Sequence, residues 1–264
     1  MLKKLWRVIE INMTKYFVIA DVHSFYDEMI EGLNKAGFDK NNPNHILISL
    51  GDVMDRGPKP LETVEYLMSL PRKILIRGNH EDLLQELFNG RSLCSSDIFN
   101  GTFDTVRMLA EKVKDFKISK DLAMFAWEDV VADARRQPIV KKYLKSLVNW
   151  WEVGKYVFVH GWIPYTEDCK TMVDWRSDAT EEDWSRATWS KTPDLVENKV
   201  WDDKEHTIVC GHWDSATFHE MFEDVVEDYS PFISEDFICC DSCTALSHKV
   251  NIFTFDYDDI VVKL

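Results

Sequence analysis

Residues 50–60 read LGDVMDRGPKP, and the run that leads into them, His45 to Leu50 (HILISL), is dense in isoleucine and leucine. A short apolar run with β-branched residues that stops at a glycine reads as a buried strand. Behind it come two carboxylates three positions apart, Asp52 and Asp55, with Arg56 directly after the second and Gly51 and Gly57 on either side. Pro58 and Pro60 then mark the start of a helix. Acid, acid and base at the end of a buried strand suit a ligand site, because in open α/β sheets the loops at the carboxyl edges of the strands converge on it.

Outward from this stretch, Tyr16 to Ala20 (YFVIA), Lys73 to Ile76 (KILI) and Tyr156 to His160 (YVFVH) are further short runs of the same kind. Helical patterns separate the first three, over Phe25 to Ala36 with Phe25, Met29, Ile30 and Leu33 on one face, and over Leu61 to Leu70. Strand, helix, strand, helix, strand implies right-handed crossovers and a largely parallel sheet. From about Phe103 to Val153 the pattern is helical without a clear strand, which predicts an inserted helical cap over about 90–153 of a single domain spanning 1–264. Thr207 to Cys210, Phe237 to Cys240 and Lys249 to Phe255 are the remaining expected strands.

The residues behind each run share a chemistry. After the first stand Asp21 and His23, after the second Asp52 and Asp55-Arg56, and after the third Arg77-Gly78-Asn79-His80-Glu81. The fourth ends in His160-Gly161 and a later one in Gly211-His212, so four of the eight histidines lie at strand ends. Singly, such residues most often cap loops, and Asn79 would serve as a helix N-cap. Together, carboxylate, carboxamide and imidazole donors without a thiol suit manganese, iron or zinc, and there are more of them than one ion needs, so two ions sharing a carboxylate would use them well.

Composition narrows the partners. With 46 acidic and 31 basic residues the formal charge is −15, which opposes binding to a nucleic-acid backbone and leaves any phosphate to be captured by local positive charge. No run approaches the roughly 18 consecutive apolar residues of a membrane span. The opening MLKKLWRVIEIN has its apolar run broken by Arg7 and Glu10, unlike a signal peptide, so a cytoplasmic chain is expected. Cys240 and Cys243 form a CxxC pair preceded by Cys239, but no second pair at zinc-site spacing accompanies them, and buried thiols are the preferred reading.

DVH, GDVMDRG, RGNHE, VHG and GH, in that order, resemble the binuclear metallophosphoesterases of the calcineurin-like superfamily, specifically the phosphoprotein phosphatase branch. The resemblance covers about Tyr16 to Ser215 and implies an αββα sandwich of two mixed sheets flanked by helices. It implies that Asp21, His23 and Asp52 bind one metal and that Asp52, Asn79, His160 and His212 bind a second, with manganese favoured over iron or zinc. It further implies direct attack of a metal-bridging hydroxide on phosphorus, His80 as proton donor to the leaving oxygen, Asp55 as the carboxylate orienting His80, and Arg56 as a phosphate ligand.

A second phosphate-binding arginine is typical of that family between the VHG and GH blocks. Arg186 in the WSR context is the choice over Arg176, whose alternative is a surface ion pair with a neighbouring aspartate. Arg77 and Glu81 are expected to support their loop. Ser24 stands where the family has glycine and is expected to cap the following helix, while Asp214 stands where the nuclease and phosphodiesterase branch has a histidine. Eight of the ten tryptophans fall between Trp150 and Trp213 and are expected to pack the cap against the sheets. The acidic stretch from Glu220 to Asp228 reads as a solvated face. The implied activity is phosphomonoester hydrolysis on phosphoserine, phosphothreonine or phosphotyrosine in proteins, or on small phosphoesters. The alternatives are a dinucleoside tetraphosphate hydrolase or a broad nucleotide phosphatase or phosphodiesterase.

Overall fold

The computed structural model describes residues 8–201 and 203–263. Its elements run β1 (Val8–Ile19), α1 (Tyr26–Lys35), β2 (His45–Ser49), α2 (Pro60–Ser69), β3 (Lys73–Leu75), α3 (Asn79–Phe88), then helices α4 (Ser95–Asn100), α5 (Thr102–Lys114), α6 (Lys120–Phe125), α7 (Trp127–Ala134) and α8 (Pro138–Leu144). There follow β4 (Trp151–Val153), β5 (Tyr156–Phe158), α9 (Trp175–Asp178), α10 (Glu181–Thr188), α11 (Thr192–Glu197), β6 (Thr207–Cys210), α12 (Ser215–Glu223), β7 (Phe232–Ile233), β8 (Phe237–Cys239), α13 (Thr244–Ser247) and β9 (Phe253–Lys263).

Two mixed sheets form, in the orders β3-β2-β1-β9 and β4-β5-β6-β8-β7. Alternation along the strands explains why they are apolar throughout. In β1 and β2, Phe17, Ile19 and Leu47 enter a core beneath α1, α2, α3 and α5, whereas Tyr16, Val18 and Ile48 face the second sheet. In β5 and β6, Phe158 and Val209 face back across the same interior, and Val157, Ile208 and Cys210 turn outward under α10, α11 and α12. The layers are therefore helix, sheet, sheet, helix, the expected αββα sandwich. Phe17 is fully buried, and truncating such a side chain to alanine costs about 3–5 kcal/mol.

Several boundaries differ from the sequence reading. β1 extends N-terminally to Val8 because it pairs antiparallel with β9 from Val8↔Lys263 to Val18↔Phe253. That outer half carries exposed Met13 and Tyr257 and shows no apolar run. β9 starts at Phe253, not Lys249, since His248 turns the chain with φ 52° at the end of α13. The helical insertion closes at Leu144: Val148 bridges to Ile76 and Trp151–Val153 form β4, a strand too short to reveal its period. Trp162, Trp175, Trp184 and Trp201 pack the outer helices of the second sheet, not the insertion. The cysteines form no disulfide, and Cys210, Cys239 and Cys240 are buried. Among the described residues no helix is long and apolar enough to cross a membrane.

Candidate active site

The carboxyl ends of β1, β2, β3, β5 and β6 open onto one buried cluster whose centre is Asp52. His160 Nε2 lies 3.4 Å from Asp52 Oδ1, while His80 Nε2 and His23 Nε2 lie 3.7 and 3.9 Å from Oδ2. The ligand-capable atoms of His23, Asp52 and His80 lie within 4.8 Å of one another, and so do those of Asp52, His160 and His212. Asn79 joins the second group, its Oδ1 being 2.8 Å from His160 Nε2. Asp21 is buried beside the cluster with its carboxylate on the backbone N–H of His212, at 3.0 and 3.2 Å.

The imidazoles are oriented from behind. His23 Nδ1 is 3.0 Å from the Met54 carbonyl and His160 Nδ1 is 2.8 Å from the Leu50 carbonyl. Donating there fixes the proton on Nδ1 and leaves a lone pair on Nε2 toward Asp52, the usual arrangement behind a metal ligand. Burial lowers the pKa of His160 and His23, and pulls that of His212, with the charge of His160 adding, down to about 3, so the rings favour the neutral, coordinating form. Burial alone would raise Asp52, but the surrounding imidazoles, His160 foremost, hold it ionised. Burial and the charges of Asp241 and Asp52 push Asp21 up. Buried lone pairs facing one another without a thiol fit hard or borderline divalent cations.

His80 differs from its neighbours. Its Nδ1 meets a carboxylate, Asp55 Oδ2, at 2.8 Å. Burial disfavours its charged form, but Asp52 and Asp55 outweigh that and raise its pKa.

The loops that carry these groups are strained and tied together. Asp21, His23, Ser24, Asp52, Asp55 and Arg56 all have positive φ, between 48° and 73°, a region that costs a non-glycine residue roughly 1–2 kcal/mol. Cross-loop bonds hold them there: His23 N to the Asp52 carbonyl at 2.9 Å and Ser24 N to the Val53 carbonyl at 2.8 Å. Glu81 accepts from the N–H groups of Asp52, Val53 and Gly78 at 2.8, 3.0 and 3.0 Å and from the Tyr143 hydroxyl at 3.0 Å. Burial, with the charge of Asp52, pushes Glu81 up to about 7. Only glycine fits at 78, where an added Cβ would come 2.2 Å from Asp52 Oδ1.

Residues 14–228 match the calcineurin-like phosphoesterase family model. The chain belongs to that family. It is 33% identical over 113 residues to the asymmetrical bis(5'-nucleosyl)-tetraphosphatase PrpE of Bacillus subtilis strain 168, a match covering 39% of this chain and 45% of that one. It is 29% identical over 148 residues to a symmetrical bis(5'-nucleosyl)-tetraphosphatase of Coxiella burnetii, covering 56% and 42%. The chain thus spans less than half the length of these curated relatives. A crystal structure provisionally named a diadenosine tetraphosphatase shares the fold at TM-score 0.55 and 16% identity, covering 94% of this chain and 93% of that one. The cold-active protein-tyrosine phosphatase of a psychrophilic Shewanella does so at TM-score 0.52 and 17% identity, covering 92% and 75%.

Against this family background the arginines separate. Arg56 extends its fork to Nε2 of His23 at 2.9 Å and of His80 at 3.3 Å, so its guanidinium reaches the same space as the ligand atoms. Arg186 is half-exposed on α10, pairs with Asp183 at 2.7 Å and lies over the Tyr165 ring; the cluster does not include it. Arg176 pairs with Glu152 at 2.7 Å, not with a neighbouring aspartate, and stacks on Trp175 and Trp150, which its position in the chain could not disclose. Arg77 bonds Asp82 and Glu181, a supporting role as expected.

Two other expectations change. α1 has Phe25 in its cap position and no side-chain cap, and the Ser24 hydroxyl, one residue earlier, is buried without a hydrogen-bond partner among the described residues. Asp214 caps α12 through Thr217 N at 3.1 Å. Asn79 is the first residue of α3, not its cap. Sequence reasoning missed Thr102 and Tyr143, whose hydroxyls reach Asp55 and Glu81 from the helical insertion, and Asp241, whose charge acts on Asp21. Only the polar residue directly after the β8 run hinted at Asp241; Thr102 and Tyr143 carry no local signal.

Proposed function

We propose that the protein is a metal-dependent phosphoester hydrolase that cleaves phosphate monoesters at the Asp52 cluster. The observation that supports this reading is two groups of ligand-capable atoms sharing the buried carboxylate of Asp52, one of them including His80, whose far nitrogen is held by a second carboxylate, Asp55. In this proposal Asp21, His23 and Asp52 would hold one cation, and Asp52, Asn79, His160 and His212 would hold the other. Two divalent ions, manganese first and iron or zinc as alternatives, would supply Lewis-acid activation of water and draw charge from the phosphoryl oxygens.

The chain's own groups do the rest. Arg56 grips two phosphate oxygens with its planar fork, and Arg186 approaches as a second arm. His80 gives its Nε2 proton to the leaving oxygen as the P–O bond breaks. Asp55 keeps the ring aimed and stabilises its protonated form. Phosphorylated serine, threonine or tyrosine in proteins is the proposed substrate class, in a cytoplasmic setting. A second reading, hydrolysis of dinucleoside tetraphosphates, is favoured by the names of the Bacillus and Coxiella relatives.

Kinetics of the purified protein with each metal on phosphopeptides, nitrophenyl phosphate and diadenosine tetraphosphate test the choice. The proposal expects the highest kcat/KM on monoesters. Preference for the tetraphosphate would transfer the conclusion to the second reading, and two bound ions with no turnover of any substrate would reject both.

A further inference from the structure

Helix α5 begins at Thr102, and its first residue is fully buried against the catalytic loop. The Thr102 hydroxyl donates to Asp55 Oδ2 at 2.5 Å, the same oxygen that meets His80 Nδ1 at 2.8 Å. Asp55 Oδ1 is buried with no hydrogen-bond partner among the described residues. Both side-chain bonds of this carboxylate therefore converge on one oxygen, from two separate segments: His80 follows β3, and Thr102 comes from the helical insertion. The approach is close along the backbone too. Gly101 has φ 88°, and a Cβ there would stand 2.5 Å from Arg56 N.

A carboxylate held by a single donor can rotate about Cβ–Cγ and exchange its oxygens; one held by two donors at the same oxygen cannot do so without breaking both bonds. The second donor also takes up part of the charge on Oδ2, so Asp55 grips the imidazole proton less tightly. Both effects bear on the ring that faces Asp52 and Arg56 with Nε2. A threonine placed only to start a helix would need no partner on a buried carboxylate 47 positions earlier.

We infer that Thr102 is a positioning residue for proton donation: its hydroxyl locks Asp55 so that His80 presents Nε2 to the leaving oxygen, and the helical insertion is thereby tied to the chemical step. The inference rests on the proposed role of His80. Asp55 and His80 are set by the motif; Thr102 is supplied by this chain's insertion.

The test compares kcat and KM of the metal-loaded protein on an alkyl phosphate monoester and on nitrophenyl phosphate, whose leaving group needs little protonation. Thr102→Val should lower kcat on the alkyl ester about 10-fold, part of the 10²–10⁴-fold that general acid catalysis supplies, with KM unchanged and less than about a twofold loss on nitrophenyl phosphate. Thr102→Ser should restore the alkyl rate, and in a His80→Asn background Thr102→Val should cost nothing further. Equal losses on both substrates, no rescue by serine, or the same loss with and without His80 would reduce Thr102 to packing and overturn the inference. If valine prevents folding, judged by thermal melting, Thr102→Ala removes the same hydroxyl without added bulk and carries the same expectations. Should His80→Asn leave the alkyl rate intact, the acid assignment itself falls; a large His80 effect with a silent Thr102→Val sinks this inference alone.

Discussion

The two sheets contribute to the site in different ways. The first supplies Asp21, His23, Asp52, Asn79 and His80 on three loops: the first two bond each other through the backbone and hold six non-glycine residues at positive φ, and the third is tied to the second through the carboxylates of Glu81 and Asp52. The second supplies His160 and His212 on plain strand ends, with positive φ only at His212 (67°) and a single bond between them, Gly211 N to the His160 carbonyl at 2.8 Å. The second half is aligned by docking onto the first: His160 Nδ1 reaches the Leu50 carbonyl, and His212 N reaches Asp21. Rigidity is concentrated where the shared carboxylate stands, and the other ligands are set against it.

If that asymmetry is real, damage to the first half should spread and damage to the second should stay local. Asp52→Asn should bring metal content, read by elemental analysis of the purified protein, below one ion per chain. Turnover should fall by more than the roughly 10–100-fold that losing an outer partner of a metal ligand typically costs. His212→Asn should leave one ion in place. Two tightly bound ions in the Asp52 variant would remove Asp52 from the centre. Glu81→Gln tests the support beneath. Glutamine keeps an acceptor for Tyr143 but sets an NH₂ against the N–H groups of Asp52, Val53 or Gly78, and about a 10–100-fold loss in metal affinity is expected. Unchanged affinity would show that the strained loop holds itself.

The same asymmetry explains what could be read in the sequence. Strands buried on both faces write their position as unbroken apolar runs, so YFVIA, HILISL and TIVC were legible, and the polar residues behind them located the cluster. β4 and β7, three and two residues long, leave no period to read. Partners brought by the tertiary fold are equally silent: nothing around Thr102 or Tyr143 announces a bond to Asp55 or Glu81, 47 and 62 positions away. Arg176 shows the same limit, since Glu152 precedes it by 24 residues.

Outside the buried cluster the effects should shrink. Arg186→Ala should raise KM for a phosphomonoester, with a loss in kcat/KM of about 10-fold, the scale of one charge-assisted contact. Arg176→Ala should leave both constants within about twofold, because its guanidinium already has Glu152 and two indole rings and such exposed pairs contribute about 1 kcal/mol or less. The reverse pattern would exchange the two arginines.

The smallest effect belongs to the outer helix of the second half. α12 starts directly behind His212, and one turn further on His219 pairs through Nδ1 with Glu223 at 2.6 Å and through Nε2 with the Ser230 carbonyl at 3.1 Å. Phe232 packs on the ring, and Asp228 adds its charge. Burial disfavours the imidazolium, but Glu223 and the Ser230 carbonyl outweigh it and raise the pKa. A histidine whose folded pKa is raised stabilises fully below its unfolded value near 6.5, and that contribution is lost as pH rises through the folded value. Tm should therefore fall as pH is raised from 6 to 8.5, by the share of stability that this raised pKa contributes. Other groups titrate over the same range, Glu81 at about 7 among them, so the informative quantity is the difference from His219→Gln, in which this share of the slope should vanish while metal content stays that of the parent. Parallel pH curves for the two proteins would mean that α12 is held by its apolar face alone. A change in metal content would mean that the second half is not aligned solely by docking onto the first, and that its outer helix also sets His212.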